Sequence, residues 1–283
     1  MFADELIGDD NENNKNRTTE KVEKRYSIYV DEEFVCGIDE EILIQFSLYK
    51  GMEVTTVQLE EIQSAENDHR LYSQALNYLS YGLRTEKEIL DYLNKIIAKK
   101  DQNISEGVIQ NTLTRLKYLG YINDHEYAKS YVRTKYSLNS KGPNVIANEL
   151  KAKGVEDFDI QDALLEYPEE EQVNNIEGLI KKFLKSNKNL PAKMIKNKLY
   201  THLMTKGYDK EFVNEALSDL SLEGAEDREV ELIEKEAQIY LRRHQRKYSG
   251  YNLKQKISQS LYGRGFNYEL IKRWLEEHEN LFD

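Results

Sequence analysis

Three times in the second half of the chain a basic residue, a glycine and an apolar residue follow one another: Lys153-Gly154-Val155, Lys206-Gly207-Tyr208 and Arg264-Gly265-Phe266. Counted from each glycine, position −8 is Ile146, Leu199 and Ile257, and position −4 is Leu150, Leu203 and Leu261. Position +6 is Ile160, Val213 and Ile271, and position +10 is Leu164, Leu217 and Leu275. Four apolar columns held over three copies define a tandem repeat, and this restricts the fold to small units that bury their apolar faces by stacking.

Positions −8 and −4 share one face of a helix, the glycine closes that helix in the left-handed conformation, and the apolar residue beyond it packs back on the last turn. Positions +6 and +10 predict the buried stripe of a following helix. A preceding helix completes each unit through the pairs Ala128/Val132, Ile180/Leu184 and Ala237/Leu241, at i, i+4 spacing. A first copy without the glycine reads as Ala75/Leu79, Ile89/Leu93 and Ile109/Leu113, with about six extra residues around Ile97 to Asn103. Its second helix opens at Thr85-Glu86-Lys87-Glu88, a capping box. The matching helices of copies two and three start near Pro143 and Pro191, where proline fits the first turn.

Upstream, Tyr26 to Val30 and Phe34 to Ile38 read as two strands around an Asp-Glu-Glu turn, followed by a helix from about Asp39 to Lys50 that ends at Gly51. The first 20 residues have almost no apolar content and read as disordered. With three prolines in 283 residues, the fold class is mainly α: tandem three-helix, helix-turn-helix-like repeats with a small N-terminal β-hairpin plus helix cap. The expected segments are a leader (1–20), the cap (21–67) and repeats at 68–122, 123–170, 171–224 and 225–283.

The run ALNYLSYGLRTEKEI from Ala75 to Ile89, LGYIND from Leu119 to Asp124 followed by Tyr127-Ala128, and ELKAKGV from Glu149 to Val155 resemble the RecX family of bacterial recombination regulators. The resemblance is densest over residues 72 to 165 and extends more weakly to the hairpin and the fourth copy. It implies repeats arranged in an elongated, curved array. It also implies a regulator, mainly an inhibitor, that lodges in the groove of the RecA filament on DNA and lowers its ATPase, strand-exchange and coprotease activities in DNA repair and the SOS response. DNA binding is a further property of that family.

Charge is unevenly distributed. The net charge of −11 resides in residues 1 to 70, which hold 18 Asp and Glu against 7 Lys and Arg, and the rest of the chain is neutral. Within that remainder, Arg242 to Arg273 holds nine basic residues against Glu269 alone. The candidate cluster for RecA or DNA is Arg242, Arg243, Arg246, Lys247 and Lys254, interleaved with Tyr240, Tyr248 and Tyr251, since cations and aromatics together contact phosphates and bases. The alternative is that Tyr240 is core and the cations solubilise a helix end. Further candidates are Lys182, Lys193 and Lys196 in the lysine-rich stretch of copy three, Arg84 beside the loop of copy one, and Arg133, Lys135 and Lys141 in copy two. Lys153, Lys206 and Arg264 read as helix C-terminal cations, and Asp124 as an N-cap.

Five scattered histidines, one cysteine (Cys36) and no phosphate loop or nucleophile motif point away from catalysis, metal sites and cofactors. No apolar run suits a membrane span and no leader signal is present, so a cytoplasmic monomer is expected. Three function classes remain: a RecA-filament modulator, a DNA-binding repeat protein acting without RecA, and a protein-interaction scaffold.

Overall fold

The computed structural model describes residues 3–8, 25–99, 104–218, 220 and 225–282. The chain divides into two compact units, Met1–Tyr127 and Ala128–Asp283.

In the first unit, strands β2 (Arg25–Val30) and β3 (Glu33–Asp39) form an antiparallel hairpin with Tyr26 opposite Ile38 and Ile28 opposite Cys36. Asp31 and Glu32 at the turn both have positive φ, 51° and 66°, the two-residue geometry whose twist suits a hairpin. Strand β1 (Ala3–Gly8) pairs with the other edge of β2. For residues 3–8 this corrects the expected disorder: backbone pairing along an open strand edge requires no apolar periodicity, so composition gives no signal of it. The rest of the expected leader lies outside the described residues.

Helix α1 (Glu40–Gln45) is capped by Asp39, whose carboxylate accepts the Ile42 N–H at 3.4 Å. The expected run to Lys50 is corrected. The helix stops after Gln45, Ser47 turns left-handed at φ 50°, and Phe46, Leu48 and Met52 fold back onto the cap core of Ile28, Ile38, Ile42 and Ile62.

Helix α2 (Thr56–Ser80) opens with a Thr55/Gln58 capping box and runs 25 residues, about 37 Å. Its first half gives Leu59 and Ile62 to the cap, and its second half gives Leu71 and Ala75 to copy one. The boundary expected at residue 67/68 therefore falls inside a continuous helix. Beside it Glu66, nearly buried, accepts from Arg25 at 2.8 Å and from the Asp39 N–H at 3.1 Å, tying helix to sheet.

Copy one continues with α3 (Glu86–Lys99) and α4 (Glu106–Tyr118). The Thr85/Glu88 box is reciprocal, at 3.1 and 3.2 Å. Next comes α5 (Asp124–Asn139), capped by Asn123, whose side chain accepts the Glu126 N–H at 3.0 Å. The N-cap expected at Asp124 is thus one residue earlier. Asp124 instead reaches the start of α3, where it accepts the Glu86 N–H at 2.9 Å, an exposed donor that a single-helix pattern cannot assign.

In the second unit α5 continues into α6 (Pro143–Ala152) and α7 (Asp157–Leu164), followed by α8 (Glu169–Ser186), α9 (Ala192–Lys206) and α10 (Lys210–Ser218), then α11 (Ala225–His244), α12 (Gly250–Arg264) and α13 (Tyr268–Glu277). Columns −8, −4 and +6 are buried in all three copies. Gly154, Gly207 and Gly265 have φ of 85°, 91° and 98°, and the residue after each donates its N–H to the −4 carbonyl, at 3.2, 3.3 and 3.3 Å. Column +10 is buried only at Leu275; Leu164 and Leu217 are half-buried. In copy three the first-helix core is Ile176 and Ile180, with Leu184 half-buried.

Copies two and three meet through backbone. The Gly142 N–H donates to Lys206 O at 2.8 Å and the Asn144 N–H to Gly207 O at 3.0 Å. A methyl on Gly142 would stand 2.5 Å from Gly207 O, and one on Gly207 would stand 2.5 Å from Val145 N. The buried Tyr208 hydroxyl donates to Ser140 O at 3.0 Å and lies 3.2 Å from the Tyr167 hydroxyl. The start of α9 meets copy four through side chains instead: the Ala192 N–H donates to the Glu229 carboxylate at 2.5 Å, and the Met194 side chain closes on Gly265. Gly207 and Gly265 thus each end a helix and also admit the preceding copy.

Candidate interaction surface

The loop between first and second helix recurs in every copy and carries cations in each. Copy four has the richest. Helix α11 ends in Arg242 and Arg243, and the connection to α12 holds Arg246 and Lys247. All four are exposed, and among the described residues no carboxylate pairs with Arg242, Arg246 or Lys247. A cluster of rings lies beneath them. Tyr240, His244 and Tyr248, spaced by four, have successive centroids 6.3 and 6.2 Å apart. Arg243 lies 5.9 Å over Tyr240, Lys256 lies 5.9 Å over Tyr248, and His244 is 3.2 Å from Ser260 of α12. Tyr240 is half-buried against the copy-four core, so it supports the cations more than it presents a face. Tyr248 and Tyr251 are exposed. Unpaired cations beside exposed rings suit a phosphate backbone and its bases. Lys254 does not join this group: it pairs with Glu279 at 3.3 Å and lies 6.0 Å from the Phe282 ring.

The candidates in copy two are engaged elsewhere. Arg133 pairs with Glu166 at 3.1 Å, and Lys141 pairs with Glu149, which also accepts the Tyr131 hydroxyl at 2.9 Å. Lys135 lies over the Tyr131 ring at 4.7 Å. Tyr131 and Glu149 hold α5 to α6, Arg133 and Glu166 hold α5 to the residues just after α7, and these interactions leave little free charge. In copy three Lys182 and Lys196 are exposed, and Lys193 lies 5.5 Å over Tyr262 at the junction with copy four. In copy one Arg84 covers Tyr78 at 4.8 Å, and Tyr78 stacks on Tyr92 at 4.1 Å.

Two features give no signal in the charge pattern. Arg115 lies 3.9 Å over Tyr72, within copy one. Arg264, expected as a helix-end cation, pairs with Glu236 at 3.1 Å. The i, i+4, i+8 spacing of Tyr240, His244 and Tyr248 is the one sequence cue to the ring cluster. Among the described residues no group of His, Cys, Asp and Glu has the arrangement of a metal site. Burial pushes the Cys36 thiol up to about 11, which makes it a poor nucleophile. No helix of the described residues is long and apolar enough to cross a membrane.

Comparison with known proteins gives a consistent family match. Models described as the regulatory protein RecX N-terminal domain and the RecX first, second and third three-helix domains match residues 13–55, 72–116, 123–164 and 226–275. Copy three lies in the interval between the last two. The regulatory protein RecX of Bacillus cereus (strain G9842) is 35% identical over 257 residues, covering 89% of this chain and 93% of that protein. That of Bacillus subtilis (strain 168) is 33% identical over 263 residues, covering 93% and 97%. A crystal structure of regulatory protein RecX superposes with a TM-score of 0.59 at 35% identity, covering 69% of this chain and 95% of that one.

Proposed function

Because the chain belongs to the RecX family of regulatory proteins, we propose that it binds RecA assembled on DNA, lodging in the filament groove and restraining its ATPase, strand-exchange and coprotease activities in DNA repair and the SOS response. The observation that carries this reading is the match to family models along most of the chain. The arrangement of the repeats supports it. Successive copies present equivalent loops, a design suited to a polymeric partner that itself repeats. In this reading the α11–α12 loop supplies the DNA contact through Arg242, Arg243, Arg246 and Lys247, and the protein acts as a cytoplasmic monomer with neither catalytic chemistry nor cofactor.

The exposed cations and tyrosines of copy four also favour a second reading, a DNA-binding regulator that acts without RecA. The two separate in one experiment: the ATPase rate of same-species RecA, preassembled on single-stranded DNA, titrated with the wild type and with a variant neutralised at Arg242, Arg243 and Arg246. Substoichiometric inhibition that weakens in the variant is expected. No inhibition at saturating protein rejects the RecA reading, and salt-sensitive binding to naked DNA would then favour the second.

A further inference from the structure

Copy three contains an apolar groove of about 400 Å³ between α8 and α10, lined by Val173, Ile176, Ile180, Phe212 and Ala216 and rimmed by Glu177, Lys181 and Glu215, which leave one net negative charge. Copy four shows what such a groove accepts. Ala216 and Trp274 occupy one repeat position, nine residues after Gly207 and Gly265, and Glu177 and Glu234 occupy another, three residues before the core residues Ile180 and Ala237. In copy four these positions are joined. The indole of Trp274 is 3% exposed, its N–H donates to Glu234 at 2.6 Å, and His278 stacks on it at 4.5 Å.

Copy three keeps the carboxylate and lacks the indole. Glu177 turns to Lys181 at 3.1 Å, an exposed pair within one helix that contributes little and is readily exchanged. Copy two also has alanine at this place, but Ala163 is fully buried and Tyr167 closes the repeat by stacking on Tyr136 at 4.5 Å. In copy three Ala216 and Leu184 are only half-buried, and Val173 is 45% exposed.

We propose that the α8–α10 groove is a docking seat for a tryptophan side chain carried on a helix of a protein partner, with the indole N–H donated to Glu177. An aromatic anchor seated in a preformed apolar pocket is the usual centre of a protein interface, and the acidic rim selects a partner helix with basic flanking residues. The inference goes beyond the RecA reading and stands whichever macromolecule the family activity acts on.

The test uses a dye-labelled peptide of residues 266–282 of this chain carrying Glu276→Lys and Glu277→Lys, which presents Trp274 on a helical segment with basic flanks on both sides, and the same peptide with Trp274→Ala. Both are titrated into the full chain. The tryptophan peptide is expected to bind about ten-fold more tightly than the alanine peptide and to shift the methyl NMR signals of Val173, Ile176 and Ile180. Ala216→Trp fills the groove from within and is expected to remove this difference while raising Tm. Glu177→Lys, an exposed change that leaves the fold intact, is expected to weaken the tryptophan peptide. Equal binding of the two peptides, or affinity unchanged in both variants, overturns the proposal. So does binding of N-acetyltryptophanamide without binding of either peptide, which marks a small-molecule pocket. Wild-type dimerisation that Ala216→Trp abolishes also overturns it, the occupant then being a second copy of the chain.

Discussion

Asn144 and Gly207 join two copies of the repeat: the backbone N–H of the first donates to the carbonyl of the second at 3.0 Å, and the Asn144 side-chain amide reaches Asp209 at 2.6 Å. Helix α6 thereby takes its first-turn partners from the copy that follows it in sequence.

Glycine at 207 is therefore required twice, for a φ of 91° and for the 2.5 Å approach that a Cβ would make to Val145 N. Gly120 has a φ of 76° and open space around its missing Cβ. Gly120→Ala is expected to cost about 1–2 kcal/mol. Gly207→Ala is expected to cost roughly 3 kcal/mol or more, since backbone must move as well. Urea unfolding of the two variants checks this, and equal costs would remove the steric role of the junction.

Tyr208→Phe deletes the hydroxyl that donates to Ser140 O and meets Tyr167. It is expected to destabilise by about 1–2 kcal/mol, leaving a buried acceptor unpaired. Burial raises both phenols above their ordinary value of 10.0. The neutral pair thus contributes fully below pH 10, and stability falls as pH rises beyond it, because the unfolded chain ionises first. In Tyr208→Phe the alkaline loss should be shallower. A parallel pair of stability–pH curves above pH 10 would contradict the assignment.

Asp124→Ala should loosen the start of α3 rather than the start of α5. Hydrogen exchange at the Glu86 amide is expected to accelerate, with a loss of about 1 kcal/mol typical of a removed cap. Asn123→Ala should instead expose the Glu126 amide. The reverse pattern would return Asp124 to the role of N-cap.

Trp274 is the sole tryptophan of the chain, so its emission reports on Glu234. The indole hydrogen bond holds the Glu234 carboxyl below its ordinary 4.5. That interaction is present above pH 4.5 and is lost as pH falls through the lowered value. Emission should change with a midpoint below 4.5 and should lose this step in Glu234→Gln. A step below 4.5 that is unchanged in Glu234→Gln, or the absence of any step below 4.5 in the wild type, would show that the bond does not persist in solution.

Free and paired cations should separate by readout. Neutralising Arg246 and Lys247 is expected to leave stability unchanged and to lower the salt slope of single-stranded DNA binding by about 0.7 for each phosphate that is no longer neutralised. Replacing Arg133 or Lys141 by alanine should reduce stability by at most about 1 kcal/mol with little effect on that slope. A variant of the paired residues that changes the slope as much would show that those ion pairs open on binding.

The glycine columns made the repeats legible, because −8, −4 and +6 each point inward for a reason local to one helix pair. Column +10 was less informative, since Leu164 is the last residue of α7 and Leu217 the last but one of α10, at helix ends where the side chain is only half covered. The end of α1 was hidden because Gly51 resembles a terminator, whereas the return of Phe46 and Leu48 to the cap core decides it. The exposed cations of copy four were legible as charge. The engagement of Arg133, Lys141 and Lys254 was not, because their partners Glu166, Glu149 and Glu279 are 33, 8 and 25 residues away. Charge content locates a cation in sequence, and only the fold says whether an anion already holds it.

The 25-residue α2 leaves no natural cutting point between the cap and copy one. A fragment starting at residue 68 would discard Leu59 and Ile62 and half the rod that anchors the copy-one core, and one ending at 67 would leave a frayed stump. A cut that spares both the hairpin and the full helix falls ahead of Arg25; it removes strand β1 and seven Asp and Glu against four Lys and Arg.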